Sequence, residues 1–117
     1  KKFEVHGIVH ITGGGIPGNV PRIFNDKSLG AHFYDLHEPH SALKKLKELG
    51  NVSDQEAYKT WNSGTAMMLL VDENDAEKIC KALNEYDSEI AAKTVGKVDN
   101  SGKIKVLSKY SQSEIIF

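Results

Sequence analysis

The sequence of 117 residues lacks the features that mark several specialised classes of protein. It contains one cysteine, Cys80, so a disulfide within the chain is excluded and a reducing, cytoplasmic setting is favoured. No apolar run approaches the roughly 20 residues of a membrane span, and no signal peptide precedes the first predicted strand, so we expect a soluble protein with no membrane partner. The 15 basic and 16 acidic residues leave a formal charge of -1, which provides no basic field to attract nucleic acid.

Residue groupings typical of a metal centre or a catalytic nucleophile are also missing. His6 and His10 lie four apart on a predicted strand, which separates their Cβ atoms by roughly 13 Å and prevents them from sharing one metal ion. A proline between His37 and His40 breaks the helical spacing that zinc proteases use. Cys80 has no base or second thiol nearby in sequence and is typical of a buried small hydrophobic residue. We therefore expect no metal ion held by this chain and name no catalytic residue.

A chain of this length forms one small domain with a single core. Strands mixed with helices indicate the α+β class, with one mixed β-sheet covered by helices. We assign residues 1–107 to this domain and the weakly patterned residues 108–117 to a C-terminal tail. The first predicted elements are a strand over 2–11, a helical turn after the glycines, a strand over 31–36 and a helix capped by His40 or Ser41. They are followed by a helix opened by the capping box Ser53 to Glu56, a buried central strand over 66–71 and a helix capped by Asp72. The last is a strand over 89–98 joined as a hairpin to 103–107.

The stretch "HITGGGIPGNVPR", residues 10–22, places three glycines directly after the first strand. Consecutive glycines can turn through positive φ angles and present their N–H groups to one point, which forms an anion-binding concavity. Arg22 follows closely and has the planar fork that suits phosphate or carboxylate. A tight turn where the backbone packs closely on a neighbouring strand explains the same glycines, because neither the dinucleotide-binding spacing nor the lysine of a nucleotide P-loop is present. The residues alone leave both interpretations open.

"HITGGG" followed by "NVPR", with "LGNVSDQEAYKTWNSG" and "AMMLLV" downstream, resembles the C-terminal domain of phosphoribosylformylglycinamidine cyclo-ligases, also called aminoimidazole ribonucleotide synthetases, of the PurM-like superfamily. The similarity extends over residues 5–98. It implies an ATP-dependent ring closure in purine biosynthesis that converts formylglycinamidine ribonucleotide to aminoimidazole ribonucleotide. In that family the amide oxygen of the substrate is phosphorylated, a nitrogen of the same molecule attacks, and phosphate leaves.

The resemblance also implies which partners this chain has. ATP and Mg²⁺ are held mainly by an N-terminal ATP-binding domain, in the same or a separate chain, so we expect neither to bind tightly to this chain alone. The family domain begins with a helix and a strand that this sequence lacks, which fits a first strand starting almost at Lys1. The family dimer forms largely through the N-terminal domain, so homodimerisation of this chain stays open.

Family positions carried over to this sequence give the candidate binding residues. His10 is expected to donate to a phosphate oxygen or to serve as a structural histidine, and Arg22 to pair with an anion or with a helix C-terminus. Asn62 and Gly64 form a candidate cleft loop, although Ala66 replaces a usual family glycine and favours a packing role there. The expected substrate- or phosphate-binding residues are His10, Thr12, Gly13, Gly14, Gly15, Asn19 and Arg22.

Two functions follow from these expectations. In the first, the chain is the C-terminal portion of a cyclo-ligase and is inactive without its ATP-binding domain, so the chain alone neither hydrolyses ATP nor closes the imidazole ring. In the second, it is a stand-alone ligand-binding or protein-interaction module of the same fold without catalysis of its own. An exposed sheet edge and apolar face would favour the first function, because a stand-alone protein covers or charges such edges.

Overall fold

The computed structural model describes residues 3–117, so the start of the first predicted strand at Lys2 lies outside the described residues. Helices and strands are mixed along the chain, which confirms the α+β class. The helices are α1 (Gly15–Asn19), α2 (Ser41–Leu49), α3 (Asp54–Thr60) and α4 (Ala76–Tyr86), with short 3-10 helices at Val20–Ile23 and Glu73–Asp75. The strands are β1 (Val5–His10), β2 (Gly30–Phe33), β3 (Met67–Val71), β4 (Gly96–Asp99), β5 (Ile104–Leu107) and β6 (Glu114–Ile116).

The strands divide into two sheets where the sequence predicts one. β1 and β3 pair antiparallel as a two-stranded ribbon, and the other sheet has the strand order β4-β2-β5-β6. One core cluster joins the two sheets: Val9 and Met68 contribute from the ribbon, Phe33 and Val106 from the larger sheet, and Tyr58 from α3. None of the helices in residues 3–117 combines the length and apolar character needed to cross a membrane.

The predicted hairpin between β4 and β5 is wrong, because β2 lies between these two strands. β2 runs antiparallel to β4 and parallel to β5. The turn after β4 crosses the start of β2, where Ala31 N donates to Lys103 O at 3.0 Å. Gly30 makes this crossing feasible, since a Cβ there would lie 2.3 Å from Lys103 O. Insertion between two partners buries Ala31 and Phe33 on the central strand.

The expectation that β3 is a buried central strand is also wrong. β3 pairs with β1 alone, and its residues alternate in burial: Met67 is 59% exposed, Met68 is 8% exposed and Leu69 is 37% exposed. Ile8, which lies opposite Leu69 in the register, is 61% exposed as well. The strand is apolar on both faces, but only one face of the ribbon packs on the core.

The predicted N-terminal caps are confirmed for two of the three helices, but only the Ser53 half of the capping box forms, because the Glu56 carboxylate accepts from Thr60 Oγ1 at 3.1 Å instead. The His40 ring accepts from Ala42 N at 3.1 Å, and Ser53 Oγ accepts from Glu56 N at 3.1 Å. Asp72 makes no side-chain cap, because its carboxylate binds the His6 ring at 2.9 Å. The predicted strand over 89–98 is reduced to β4, since the backbone of Ala92 bonds the side chain of Asn84 instead of a strand. Cys80, expected to be buried, is half-buried.

Residues 108–117 are part of the fold, so their assignment to a tail is wrong. β6 pairs antiparallel with β5 over Lys105 to Leu107. The preceding turn places Ser108, which is fully buried, and the ring of Tyr110 against α3. The weak sequence pattern arises because this segment is short and combines polar contacts at Ser108 with apolar packing of Ile115 and Phe117 against the core.

Candidate functional site

The glycine loop, residues 12–15, connects the end of β1 to α1. Ile11 is buried, Thr12, Gly13 and Gly14 are exposed, and Gly15 is buried again. Gly14 and Gly15 have φ angles of 97° and 63°, so the loop turns through the left-handed region at both residues. Gly15 N donates to Thr12 O at 2.9 Å and closes the turn.

Gly15 is the one member of the loop that packs tightly against another element. A Cβ added to it would lie 1.7 Å from the carbonyl oxygen of Tyr58 in α3. A Cβ added to Gly13 would have no atom within 4 Å. The two interpretations of the glycines therefore apply to different residues: close backbone packing accounts for Gly15, and anion binding stays a prediction for the exposed Gly13 and Gly14.

Asn19, at the end of α1, holds the glycine loop from the inside. It is 1% exposed, and its amide nitrogen donates to the carbonyl oxygens of Gly15 at 2.7 Å and of Thr12 and Gly13 at 3.3 Å. Its amide oxygen accepts from Thr12 Oγ1 at 3.3 Å. Asn19 is thus positioned to orient the loop backbone rather than to contact a ligand itself.

The second candidate loop, residues 62–65, lies beside the glycine loop at the same end of the ribbon. His10 pairs with Met67, and Ile11 N donates to Ala66 O at 2.8 Å, so the register continued by one step places Thr12 opposite Thr65. Thr65 is 3% exposed, and its hydroxyl oxygen has no hydrogen-bond partner among residues 3–117. Thr65 carries no recognisable sequence signal, because an isolated threonine belongs to no motif.

Within this second loop, Asn62 and Gly64 have structural contacts. Asn62 Oδ1 accepts from Gly64 N at 3.0 Å. A Cβ on Gly64 would lie 2.6 Å from Glu38 O, so only glycine fits between this loop and the segment before α2. Ala66 is exposed, so its methyl group is accommodated where the family usually has glycine.

His10 and Arg22 both reach solvent, His10 two residues before the glycine loop and Arg22 next to Ile23, which packs on Gly7 of β1. His10 ends β1 on its outer face, opposite the exposed Met67, and Arg22 lies in the 3-10 helix that follows α1. Neither side chain forms an ion pair within the described part of the chain, which leaves the Arg22 guanidinium available to an anion. Their roles in binding stay predictions.

One group of side chains has the ligand types of a metal site, and it lies at the opposite end of the ribbon. Glu4, His6 and Asp72 bring one imidazole and two carboxylates within 4.8 Å of one another, all exposed. The hydrogen bond from His6 to Asp72 raises the pKa of His6 above its usual 6.5. Thr12 follows His6 by six positions, a distance of about 20 Å along a strand, so this group is remote from the glycine loop.

Two surface grooves lie away from the glycine loop. One, of about 420 Å³, runs along α4 and includes Cys80, and the other, of about 310 Å³, lies between Phe24 and Ile104. Residues 12–15 line neither groove. The exposed backbone of Gly13 and Gly14 lies in a loop that contains no carboxylate, which suits an anion supplied from outside this chain.

Comparison with known proteins agrees with this description. Residues 1–109 match the family model described as AIR synthase related protein, C-terminal domain. The chain is 37% identical over 123 residues to the phosphoribosylformylglycinamidine cyclo-ligase of Methanocaldococcus jannaschii, covering 99% of this chain and 34% of that protein. It is 37% identical over 106 residues to the enzyme of the same name from Methanopyrus kandleri, covering 91% of this chain and 29% of that protein.

A relative with a different printed name is the bifunctional purine biosynthetic protein purD of Dictyostelium discoideum. It is 36% identical over 117 residues, covering 100% of this chain and 14% of that protein. The chain therefore spans about a third or less of the length of these curated relatives.

Proposed function

This chain belongs to the family of AIR synthase related protein C-terminal domains, as its glycine stretch predicts, and from that membership we propose that it is the C-terminal domain portion of a cyclo-ligase. The complete polypeptide would use ATP to convert formylglycinamidine ribonucleotide to aminoimidazole ribonucleotide in the cytoplasm. Support comes from the cyclo-ligase relatives, which are 34–37% identical to this chain over most of its length. The fraction of those relatives that the chain covers supports a second domain in the active protein.

The proposal rests on which backbone groups of the glycine loop are hydrogen-bonded within the chain. Asn19 occupies the carbonyl oxygens of Thr12, Gly13 and Gly15 from the buried side. The N–H groups of Gly13 and Gly14 have no acceptor in residues 3–117, and both glycines are exposed. A loop whose acceptors are satisfied inside and whose donors are free outside is preorganised for an anion. A phosphate group of the ribonucleotide or of ATP has the oxygens to accept these bonds.

The division of chemistry between the domains follows from the residue types. Residues 12–15 contain no carboxylate, so this loop fits phosphate oxygens and does not fit Mg²⁺, which prefers carboxylate ligands. In the proposed enzyme the other domain therefore holds ATP and Mg²⁺. The glycine loop and Arg22 orient the phosphorylated substrate, whose amide oxygen becomes a leaving group once it carries phosphate. Phosphate departs as the substrate nitrogen closes the ring.

The test is steady-state kinetics of the complete polypeptide that contains this chain. Arg22→Ala should raise the KM of the phosphorylated substrate about 10-fold or more with a smaller change in kcat, because a hydrogen bond to a charged group is worth about 1.5–3 kcal/mol. Lys27→Ala, a neighbouring exposed cation, is the control and should change neither constant. An unchanged KM for both substrates would give Arg22 a structural role.

A second arm tests the reaction itself. The wild-type complete polypeptide should form product only with ATP present and should release one phosphate per ring closed. Gly14→Ala should reduce kcat/KM by more than it reduces the folded fraction, because a side chain at φ 97° displaces the exposed donors. Binding of the ribonucleotide without any turnover would favour the stand-alone binding module instead.

A further inference from the structure

The segment that follows β5 forms a closed turn against α3. Ser108 N donates to Ser113 O at 2.8 Å, and Gln112 N donates to Ser108 O at 2.8 Å. We name residues 108–113 the C-terminal turn. Most of it lies beyond residue 109, where the match to the family model ends. Its contacts reach α3 at its start and its middle, and then the loop that follows it.

At the start of α3, the C-terminal turn is bound through Asp54. The Asp54 carboxylate accepts from Ser108 Oγ at 2.7 Å and from Ser111 Oγ, and it pairs with Lys47 Nζ of α2 at 2.8 Å. Lys47 Nζ also lies 5.1 Å from the centre of the Tyr110 ring. These contacts fix the turn relative to α2 and α3 together.

In the middle of α3, the turn is bound through Tyr58. The Tyr58 hydroxyl accepts from Lys109 N at 3.0 Å, and the Tyr58 and Tyr110 rings meet edge to face with centroids 5.4 Å apart. Tyr58 is 0% exposed, and its carbonyl oxygen forms the wall against which Gly15 packs. The C-terminal turn thus supports the element that positions the glycine loop.

Beyond α3, the turn is bound to the second candidate loop. The Tyr110 hydroxyl and Ser63 Oγ are 2.8 Å apart, and Ser63 is 1% exposed. Ser63 has a φ of 54°, a conformation that non-glycine residues adopt only where the surroundings hold them. It stands between Asn62 and Gly64, in the loop that faces Thr12 across the ribbon.

We propose that Tyr110 is a positioning residue of the candidate site. Through Ser63 it sets the conformation of residues 62–65, and through Tyr58 it sets the wall behind Gly15, so both loops at this end of the ribbon depend on one side chain. The inference rests on the proposed function for its effect on substrate binding, and it predicts a change in the loops whether or not that function holds.

The first experiment measures the loops directly by hydrogen exchange with mass spectrometry on the complete polypeptide. Tyr110→Ala removes the whole side chain and should accelerate exchange in peptides covering residues 12–16 as well as 62–66. Tyr110→Phe keeps the ring against Tyr58 and removes only the bond to Ser63, so exchange should accelerate in residues 62–66 alone, about five-fold, the factor for one neutral hydrogen bond. Ser63→Ala removes the same bond from the other side and should give the same acceleration. Tyr86→Phe is the control, because Tyr86 is 86% exposed and should leave both peptides unchanged.

The second experiment measures the kinetic consequence. Tyr110→Phe and Ser63→Ala should each raise the substrate KM about five-fold, and the double variant should raise it no further, since both remove one bond. If Tyr110 has only a structural role, the variants should lower Tm and the active fraction, and therefore kcat, while KM stays unchanged. Either an unchanged KM or unchanged exchange in both peptides overturns the proposal. If the wild-type polypeptide closes no ring, the proposed function fails, and the exchange result alone decides whether Tyr110 positions the loops.

Discussion

Replacing Gly15 with alanine is the most direct test of how the glycine loop is built. The added Cβ would lie 1.7 Å from the carbonyl oxygen and 2.7 Å from the carbonyl carbon of Tyr58, and 3.0 Å from the carbonyl carbon of Lys59. All three are backbone atoms, so no side-chain rotation relieves the overlap. The residue also has a φ of 63°, where alanine is strained. α1 and α3 must move apart to admit the methyl group.

The expected cost combines these two effects. The left-handed conformation costs about 1–2 kcal/mol for alanine, and forcing one methyl group into packed backbone costs about 1–3 kcal/mol. The free energy of unfolding should therefore fall by about 2–5 kcal/mol, out of about 5–15 kcal/mol for a domain. With an unfolding entropy of about 2.1 cal/mol/K per residue over 117 residues, Tm falls by about 4 °C per kcal/mol, or about 8–20 °C in all.

The assay is thermal and urea unfolding followed by circular dichroism, with the neighbouring glycines as matched controls. Gly13→Ala should change stability by less than about 0.5 kcal/mol, because it has no atom within 4 Å and no positive φ. Gly14→Ala should cost about 1–2 kcal/mol from its φ of 97° alone, since its nearest neighbour is 3.5 Å away. A Gly15→Ala variant that melts within about 2 °C of the wild type would refute the close contact between α1 and α3.

Two further changes test the polar contacts that hold the loops. Asn19→Ala leaves three loop carbonyl oxygens without their buried donor, and it should lower the free energy of unfolding measured in urea by about 2–3 kcal/mol. The control is the exposed Asn100→Ala, which should lower it by less than about 0.5 kcal/mol. Equal effects of the two substitutions would contradict the role of Asn19. Burial raises the pKa of Asp54, but hydrogen bonds from Lys47, Ser111 and Ser108 together lower it below 3.8, so its stabilisation is present above pH 3.8 and is lost as pH falls through the folded value. The free energy of unfolding, measured as pH is lowered, should therefore fall less steeply for Asp54→Asn than for the wild type. Glu77→Gln, at an exposed position, is the control and should keep the wild-type slope. Parallel curves for Asp54→Asn and the wild type would show that Asp54 does not contribute to the loss of stability in acid.

Features that depend on a few neighbouring residues could be predicted from the sequence. The caps at His40 and Ser53 are local, because each side chain bonds a backbone group two or three residues away. The glycine loop was predictable as a sharp turn, since three glycines after a strand permit positive φ angles. Family membership followed from the same stretch, whose residues stand in a fixed local order.

Features that depend on distant partners could not be predicted in this way. The turn after β4 has ordinary hairpin residues, and nothing within it indicates that β2 occupies the place beside β4. Asp72 has the position of a helix cap, yet the His6 side chain, 66 residues away, binds it instead. Ser63 and Tyr110 are unremarkable in sequence and become important only through a contact that spans 47 residues.

The sequence by itself therefore determined the α+β class, the family, the caps of α2 and α3, and the glycine turn, because side chains act on backbone within one turn of themselves. Only the tertiary structure decided that Gly15 packs on α3 while Gly13 and Gly14 stay exposed, and that residues 108–113 support the site. The physical reason is that a strand edge, a buried hydroxyl or a free N–H group requires a hydrogen-bond partner, but its own sequence does not identify the residue that provides it. That partner is fixed only when the core forms and brings distant segments together.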